Sequence, residues 1–219
     1  LIKRGTMEEL LTGKRRLAGF NDEWDNRKLG EVGVFYKGRG IGKDQARSGS
    51  TPCVRYGEIY TKHNDVIRAF YSWISEETAS SATRLVTGDV LFAASGETKE
   101  DIGKSVAFLN NIEAYCGGDI IVMRSEKSDP VFLGYYLNTD RIRKQKSAYA
   151  QGDAIVHIHA RDLVEITGLF PPKPEQSAIA QVLSDMDAEI EALEAKLEKA
   201  RAIKRGMMEE LLTGRIRLV

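Results

Sequence analysis

Three groups of side chains in this sequence have the types and spacing to do chemistry. The first is Asp89 followed by Glu97, Thr98 and Lys99. Two carboxylates so placed can hold Mg²⁺, and a lysine can assist a bound water, as in metal-dependent nucleases. The second is Gly38-Arg39-Gly40-Ile41-Gly42-Lys43. It misses the phosphate-loop spacing, because Lys37 stands where the first Gly belongs and Asp44 where Ser or Thr belongs. It also misses G-x-G-x-x-G. A glycine-rich loop with Lys37, Arg39, Lys43 and Arg47, opposed only by Asp44, still suits phosphate and base-edge contacts. The third is His157-Ile158-His159, two imidazoles on one strand face. No third metal ligand lies nearby in sequence, so core or interface histidines are expected there.

Other chemistry is excluded by what the chain lacks. No Ser/His/Asp or Cys/His set has a recognisable context. Neither an Asn/Asp-Pro-Pro-Tyr/Phe element nor a glycine-rich cofactor turn after a strand marks a self-contained adenine methyltransferase. Cys53 and Cys116 are too few and too far apart for a zinc site or a disulfide framework. Small core residues in a reducing cytoplasm are expected of them.

The elements that must position these groups are legible in part. Short strands are expected at Val32–Tyr36, Cys53–Tyr56, Asp89–Ala93, Ser105–Phe108, Ile120–Met123 and Ile155–His159, separated by Gly-rich turns. Asp129-Pro130 is an N-cap with Pro at the first helical position, and the helix it opens should run to about Gln145. Its far end carries a second basic cluster, Arg141, Arg143, Lys144 and Lys146. Beyond Pro171-Pro172-Lys173-Pro174, apolar residues recur at Ile179, Leu183, Met186, Ile190, Leu193, Leu197, Ala200, Met207 and Leu211. Steps of four and three make a heptad seam, flanked by Glu189, Glu194, Lys196 and Arg201. A helix of roughly 35 residues would span about 50 Å and needs something to pack against.

The two ends repeat one another. Residues 2–17 match residues 203–218 at a constant offset of 201, and thirteen of sixteen positions are identical. Only 6/207, 14/215 and 15/216 differ. A tandem unit of about 200 residues explains this, with one full unit here and the tail of a preceding one. Residues 2–11 should then form a short helix matching the C-terminal one. The chain divides into 1–17 (the repeat), 18–170 (a mixed α/β domain) and 171–219 (the long helix), an α+β fold.

Charge refines the picture. The chain has 32 Lys plus Arg and 32 Asp plus Glu in 219 residues, so it does not coat nucleic acid by bulk charge. The middle segment has 19 basic and 21 acidic residues, yet its basic residues cluster. No run of about 18 apolar residues points to a membrane span. The basic N-terminus lacks the apolar stretch of a secretory signal, and Leu1 in place of Met leaves room for preceding residues.

Several stretches together resemble the DNA-specificity (S) subunit of Type I restriction–modification systems. They are Leu29-Gly30-Glu31, Lys37-Gly38-Arg39-Gly40-Ile41, Val54-Arg55-Tyr56-Gly57-Glu58-Ile59, Gly88-Asp89-Val90-Leu91-Phe92, Ser95-Gly96-Glu97, Gly117-Gly118-Asp119, Pro171-Pro172, Glu175-Gln176-x-x-Ile179-Ala180 and Met208-Glu209-Glu210-Leu211-Leu212-Thr213-Gly214. The Pro-Pro…Glu-Gln…Ile-Ala stretch and the Leu-Leu-Thr-Gly ending are the most specific. Members usually carry two target-recognition domains and two helical regions; this sequence has one of each, so it resembles a half-subunit that would homodimerise through the coiled coil. The resemblance implies non-catalytic reading of double-stranded DNA, with no cofactor or metal of its own. It implies DNA adenine methyltransferase (M) and restriction (R) subunits as partners and a bipartite, palindromic target. Lys37, Arg39, Lys43, Arg47 and Lys99 are assigned to DNA contact, with Arg55, Tyr56, Thr98, Lys104, Lys144, Lys146, Tyr149 and Gln151 as further candidates. Ile179, Leu183, Met186, Ile190, Leu193, Leu197, Met207 and Leu211 are assigned to the partner helix. The rival reading is a DNA-cutting enzyme using Asp89, Glu97 and Lys99.

Overall fold

The computed structural model of the chain describes residues 2–214, the side chain of Lys43 excepted. It begins with α1 (Ile2–Leu11), the expected short helix. There follow β1 (Asp25–Lys28), the helical turn α2 (Leu29–Val32), β2 (Val34–Lys37), a 3₁₀ turn (Lys43–Gln45), β3 (Thr51–Val54), α3 (Tyr56–Thr61), β4 (Ser72–Ile74), α4 (Glu76–Ser81) and β5 (Thr83–Arg84). Next come β6 (Val90–Ala93), β7 (Ser95–Gly96), β8 (Ser105–Ala107), β9 (Tyr115–Cys116) and β10 (Ile120–Arg124). The chain continues through α5 (Pro130–Tyr136), α6 (Asp140–Ala148), β11 (Val156–His157), α7 (Ala160–Leu163), β12 (Thr167–Phe170) and α8 (Lys173–Leu212). By packing it falls into two compact units, one through Ala180 and one from Gln181 onward.

The first unit is built on an antiparallel sheet in the order β2-β10-β6-β8. β6 and β10 read as unbroken apolar runs because both their faces are buried. Leu91, Ala93, Val106, Ile120 and Val122 of this sheet share one core with Phe108, Val54, Ile59 and Cys116. A second sheet, β4-β3-β9-β5, joins β3 and β9 in parallel. Both cysteines sit on that pair, reduced and buried, and burial pushes the Cys53 thiol up to about 12. Two small pairs, β1·β12 and β7·β11, complete the strands.

Several elements depart from the sequence expectation; the strand expected at Cys53–Tyr56 is Thr51–Val54, with Tyr56 already opening α3. The strand expected from Val32 starts only at Val34, because Leu29–Val32 close one helical turn first. Glu31 Oε2 accepts the Lys28 N–H at 2.7 Å and seeds that turn. The single helix expected from Pro130 to about Gln145 is two helices. Its start is as expected: Asp129 Oδ1 accepts the Val131 and Phe132 N–H groups, both at 2.9 Å, a cap worth about 1 kcal/mol. It breaks at Asn138, whose amide nitrogen donates to Gly134 O and Ser105 O while its carbonyl accepts the Ser105 N–H. A side chain that ties the turn to β8 in this way outweighs continuation of the helix.

The Glu175-Gln176 pair closes the first unit. Both side chains are buried and both are fully engaged. Glu175 takes a two-pronged ion pair from Arg16, Nε to Oε1 at 2.5 Å and Nη2 to Oε2 at 2.7 Å, and accepts the Trp24 indole N–H at 3.1 Å. Gln176 accepts the Asp129 N–H at 3.0 Å and donates to Pro171 O at 2.8 Å. A buried carboxylate left without its guanidinium would cost about 3–5 kcal/mol, which explains why this pair stands beside Arg16 and Trp24.

α8 has 40 residues, about 60 Å at the standard rise. It is longer than expected because Pro174 lies in its first turn, where a missing N–H breaks no helical bond. In the second unit, Ile190, Leu193, Leu197, Met207 and Leu211 are exposed at heptad steps. Ile179 and Leu183 are corrections to the partner-helix set: both are already buried within the single chain and are not available to another helix. Met186 is half-buried. Among the described residues no helix is long and apolar enough to cross a membrane.

Candidate nucleic-acid interface

The site is built where two turns interlock. β2 pairs with β10, Lys37 opposite Ile121, and the Gly38 N–H donates to Ile120 O at 2.8 Å. A Cβ on Gly38 would lie 2.0 Å from Gly117 O, and one on Gly40 would lie 2.5 Å from Ser81 O. These glycines serve close backbone approach; they pin the loop rather than loosen it. Lys37 and Arg39 are thereby held outward on a fixed frame. Behind them Arg55 precedes α3, its N–H capped by Glu58 Oε2 at 3.1 Å. Glu58 also accepts the Ser72 hydroxyl, so its charge is directed to local structure.

Lys37, Arg39, Arg55 and Tyr56 line one cleft of about 850 Å³ with the Gly117–Asp119 turn. Among the described residues, none of the three cations forms an ion pair with a carboxylate. A smaller cleft of about 320 Å³ shares Lys37, Gly118 and Asp119 and adds Ser95, His157, His159 and Arg161. Ser95 Oγ and His157 Nδ1 are 2.9 Å apart. Gln151 flanks this cleft by exchanging both backbone hydrogen bonds with His157, at 3.0 and 2.7 Å. The result is a cationic surface with imidazoles, one exposed phenol and one carboxylate. Arg and Lys match guanine edges and phosphates, and Asp119 can accept from a cytosine amine. His157 and His159 are exposed in this cleft, so of the two places expected for them, core or interface, the core is excluded.

The remaining assignments lie elsewhere. Arg47 is exposed after the 3₁₀ turn and lines neither cleft; the Lys43 side chain lies outside the described residues. Lys99 is exposed in the loop after β7, and the Thr98 hydroxyl donates to Asp101 at 3.1 Å. Lys144 and Tyr149 are exposed at α6 and its end. Lys146 is a correction. Its side chain is 0% exposed, its Nζ donates to Gly103 O at 2.5 Å and Leu137 O at 2.9 Å, and burial lowers its pKa to about 7. It braces α6 and cannot reach DNA. Lys104 is half-buried, donates to His63 O at 2.7 Å, and is likewise held below the usual lysine range by burial.

The nuclease reading fails on geometry. Asp89 is buried, and both its oxygens are taken by Arg124, at 2.7 and 2.9 Å, with the Val86 N–H at 2.8 Å. Glu97 and Lys99 lie on the exposed loop. His157, His159, Arg161 and Asp119 are the site residues that sequence reasoning did not assign to DNA. The Gly117-Gly118-Asp119 stretch was visible among the family-like pieces and could have pointed to the last of them.

Comparison with known proteins bears on what this surface is for. Residues 21–201 match the model of the Type I restriction modification DNA specificity domain. The chain is 24% identical over 229 residues to the Type I restriction enzyme MjaVIII specificity subunit of Methanocaldococcus jannaschii, covering 100% of this chain and 52% of that protein. In fold it is similar to the Type-I restriction-modification S subunit from M. genitalium, with a TM-score of 0.59 at 17% identity over 90% of this chain and 47% of that one. It is also similar to the HsdS subunit from Thermoanaerobacter tengcongensis, with a TM-score of 0.58 at 17% identity over 95% and 50%. The chain spans about half the length of the curated relatives it matches.

Proposed function

The chain belongs to the Type I restriction–modification DNA specificity family, and from that premise we propose that it reads one half of a bipartite DNA site for such a complex. The observation that carries this reading is the cleft of Lys37, Arg39, Arg55 and Tyr56, whose cations form no ion pair with a carboxylate among the described residues and whose backbone is pinned. A fixed frame positions charges for base edges as well as phosphates, which bulk charge does not. In this reading the chain has no catalysis of its own. Methyl transfer to adenine and cutting belong to M and R subunits, and the complex works in the cytoplasm.

The exposed heptad row of Ile190, Leu193, Leu197, Met207 and Leu211 supports pairing with a second copy through α8. Two-fold symmetry then calls for an interrupted palindrome with half-sites about one helical turn, 34–36 Å, apart. Methylome sequencing of cells expressing the chain with its methyltransferase partner tests both parts. New methylation on an interrupted palindrome is the expected result. No new methylation would refute the recognition role, and an asymmetric motif would refute the homodimer.

A further inference from the structure

The first unit holds a cavity of about 460 Å³ that shares no lining residue with either cleft. Four cations line it, Lys3, Lys104, Arg143 and Lys146, against two carboxylates, Asp65 and Asp101. Both carboxylates are already engaged. Asp65 Oδ1 accepts the Asn138 amide at 3.2 Å, and its Oδ2 lies 4.0 Å from the Lys3 ammonium. Asp101 Oδ1 lies 3.3 Å from Arg143, and its Oδ2 accepts the Thr98 hydroxyl at 3.1 Å.

Lys104 and Lys146 are held differently. Lys104 donates to His63 O, and Lys146 to Gly103 O and Leu137 O. A carbonyl satisfies an N–H but does not neutralise an ammonium. An ammonium has three N–H groups, so among the described residues two are left on Lys104 and one on Lys146. Burial accordingly lowers both pKa values, that of Lys146 to about 7. The wall of the same cavity includes Tyr60, whose hydroxyl is buried and has no hydrogen-bond partner among the described residues. Burial also raises its pKa, so it stays a donor. A Cβ on Gly96 would lie 2.7 Å from this hydroxyl, so glycine there makes room for it. A buried donor without an acceptor marks a place for a ligand oxygen or an ordered water.

We propose that this cavity binds a small phosphate monoester, with inorganic phosphate as its smallest form, through the ammonium of Lys104 and the hydroxyl of Tyr60, and with Lys146 supplying charge from behind. The lining carries two more positive than negative charges, which a dianion balances. Its volume suits a small organic group beside the phosphate. Lys146 is 0% exposed and Lys104 half-buried, a depth that favours a free anion over the backbone phosphates of a duplex. The groups facing Lys146 and Lys104 are Lys3 of α1, Tyr60 of α3, Asp65 of the loop after α3, Asp101 of the loop before β8 and Arg143 of α6. A dianion among them favours the charged form of both lysines, so binding takes up protons and weakens as pH rises past 7. The site lies outside the recognition clefts and does not depend on the recognition role.

Titration calorimetry of the full chain with inorganic phosphate tests the site. Y60F removes only an oxygen that has no partner, so this variant should fold, and it should bind phosphate about fivefold more weakly. K104M should weaken binding by about tenfold or more. Sulfate, which keeps two charges across the range, should bind about three- to fivefold more weakly at pH 8 than at pH 7. Y60F should leave affinity for a short DNA duplex within about twofold, whereas R39A should weaken the duplex and spare phosphate. Phosphate binding that survives both Y60F and K104M, or sulfate binding indifferent to pH, would overturn the proposal. A loss of duplex affinity in Y60F equal to its loss of phosphate affinity would also overturn it, by giving the site to the DNA backbone. Failure of R39A to weaken the duplex would count against the recognition reading alone.

Discussion

Lys37 and Lys146 belong to two basic clusters of similar make-up, one between Lys37 and Arg47, the other between Arg141 and Lys146. In the first, Lys37 and Arg39 project from a pinned turn into a cleft with Arg55 and Tyr56. In the second, Lys146 turns inward to the carbonyls of Gly103 and Leu137, and Arg143 reaches Asp101 and Asp140 at 3.3 and 3.4 Å. Among the described residues Lys37 and Arg39 of the first cluster form no ion pair with a carboxylate, whereas the second cluster uses two of its cations to fix α6 against the loop before β8. The difference teaches that a run of cations predicts a binding surface only where the protein has not already supplied the partners.

Four measurements would break or sharpen this contrast. Lys146→Ala should cost about 2–4 kcal/mol in urea unfolding, since it empties a buried site and strands two carbonyls. Loss of DNA affinity without loss of stability would place Lys146 with the first cluster instead. Arg39→Ala should do the reverse. Stability should stay within about 0.5 kcal/mol, while DNA affinity falls by about 1–3 kcal/mol and the salt slope by about one.

The third measurement is pH dependence. Lys146 is held near 7 in the folded chain against about 10.4 unfolded, so between those values the unfolded state binds more protons. Stability should therefore rise with pH, by about 1 kcal/mol from pH 7 to pH 8, and Lys146→Met should flatten that rise. His63 adds a separate window: burial holds it near 4, so stability should fall as pH drops from about 6.5 toward 4. An unchanged alkaline profile in Lys146→Met would refute the buried-ammonium account. The smallest effect is expected of Lys144→Ala, whose exposed side chain should alter stability by less than about 0.5 kcal/mol. A change in salt slope there would extend the DNA surface onto α6.

What was legible in the sequence was local or periodic. The 3–4 spacing from Ile179 to Leu211 gave away α8, and the identity of the two ends gave away α1. Asp129-Pro130 announced α5, and the apolar runs at Val90 and Ile120 announced the central strands. What was hidden depends on distant partners. Nothing near Asn138 says that Ser105 will take its amide and break a helix. β1, read as Asp-Asn-Arg-Lys, has no strand pattern and exists because β12 pairs with it. Lys146 resembles its exposed neighbour Lys144 until the fold decides which faces inward. In the candidate clefts, the glycine-rich loop that carries Lys37 and Arg39 was visible in the sequence, whereas His157 and Arg161 are brought beside Lys37 by the β7·β11 pairing.

The β1·β12 ribbon has one more consequence. Asp25 lies opposite Phe170, so the backbone enters and leaves the stretch between them at a single spot. A stretch whose two ends meet can be exchanged for another of different length without disturbing what lies outside it. The β1·β12 ribbon therefore marks where the enclosed domain could be swapped whole while α1 and α8 stay as they are.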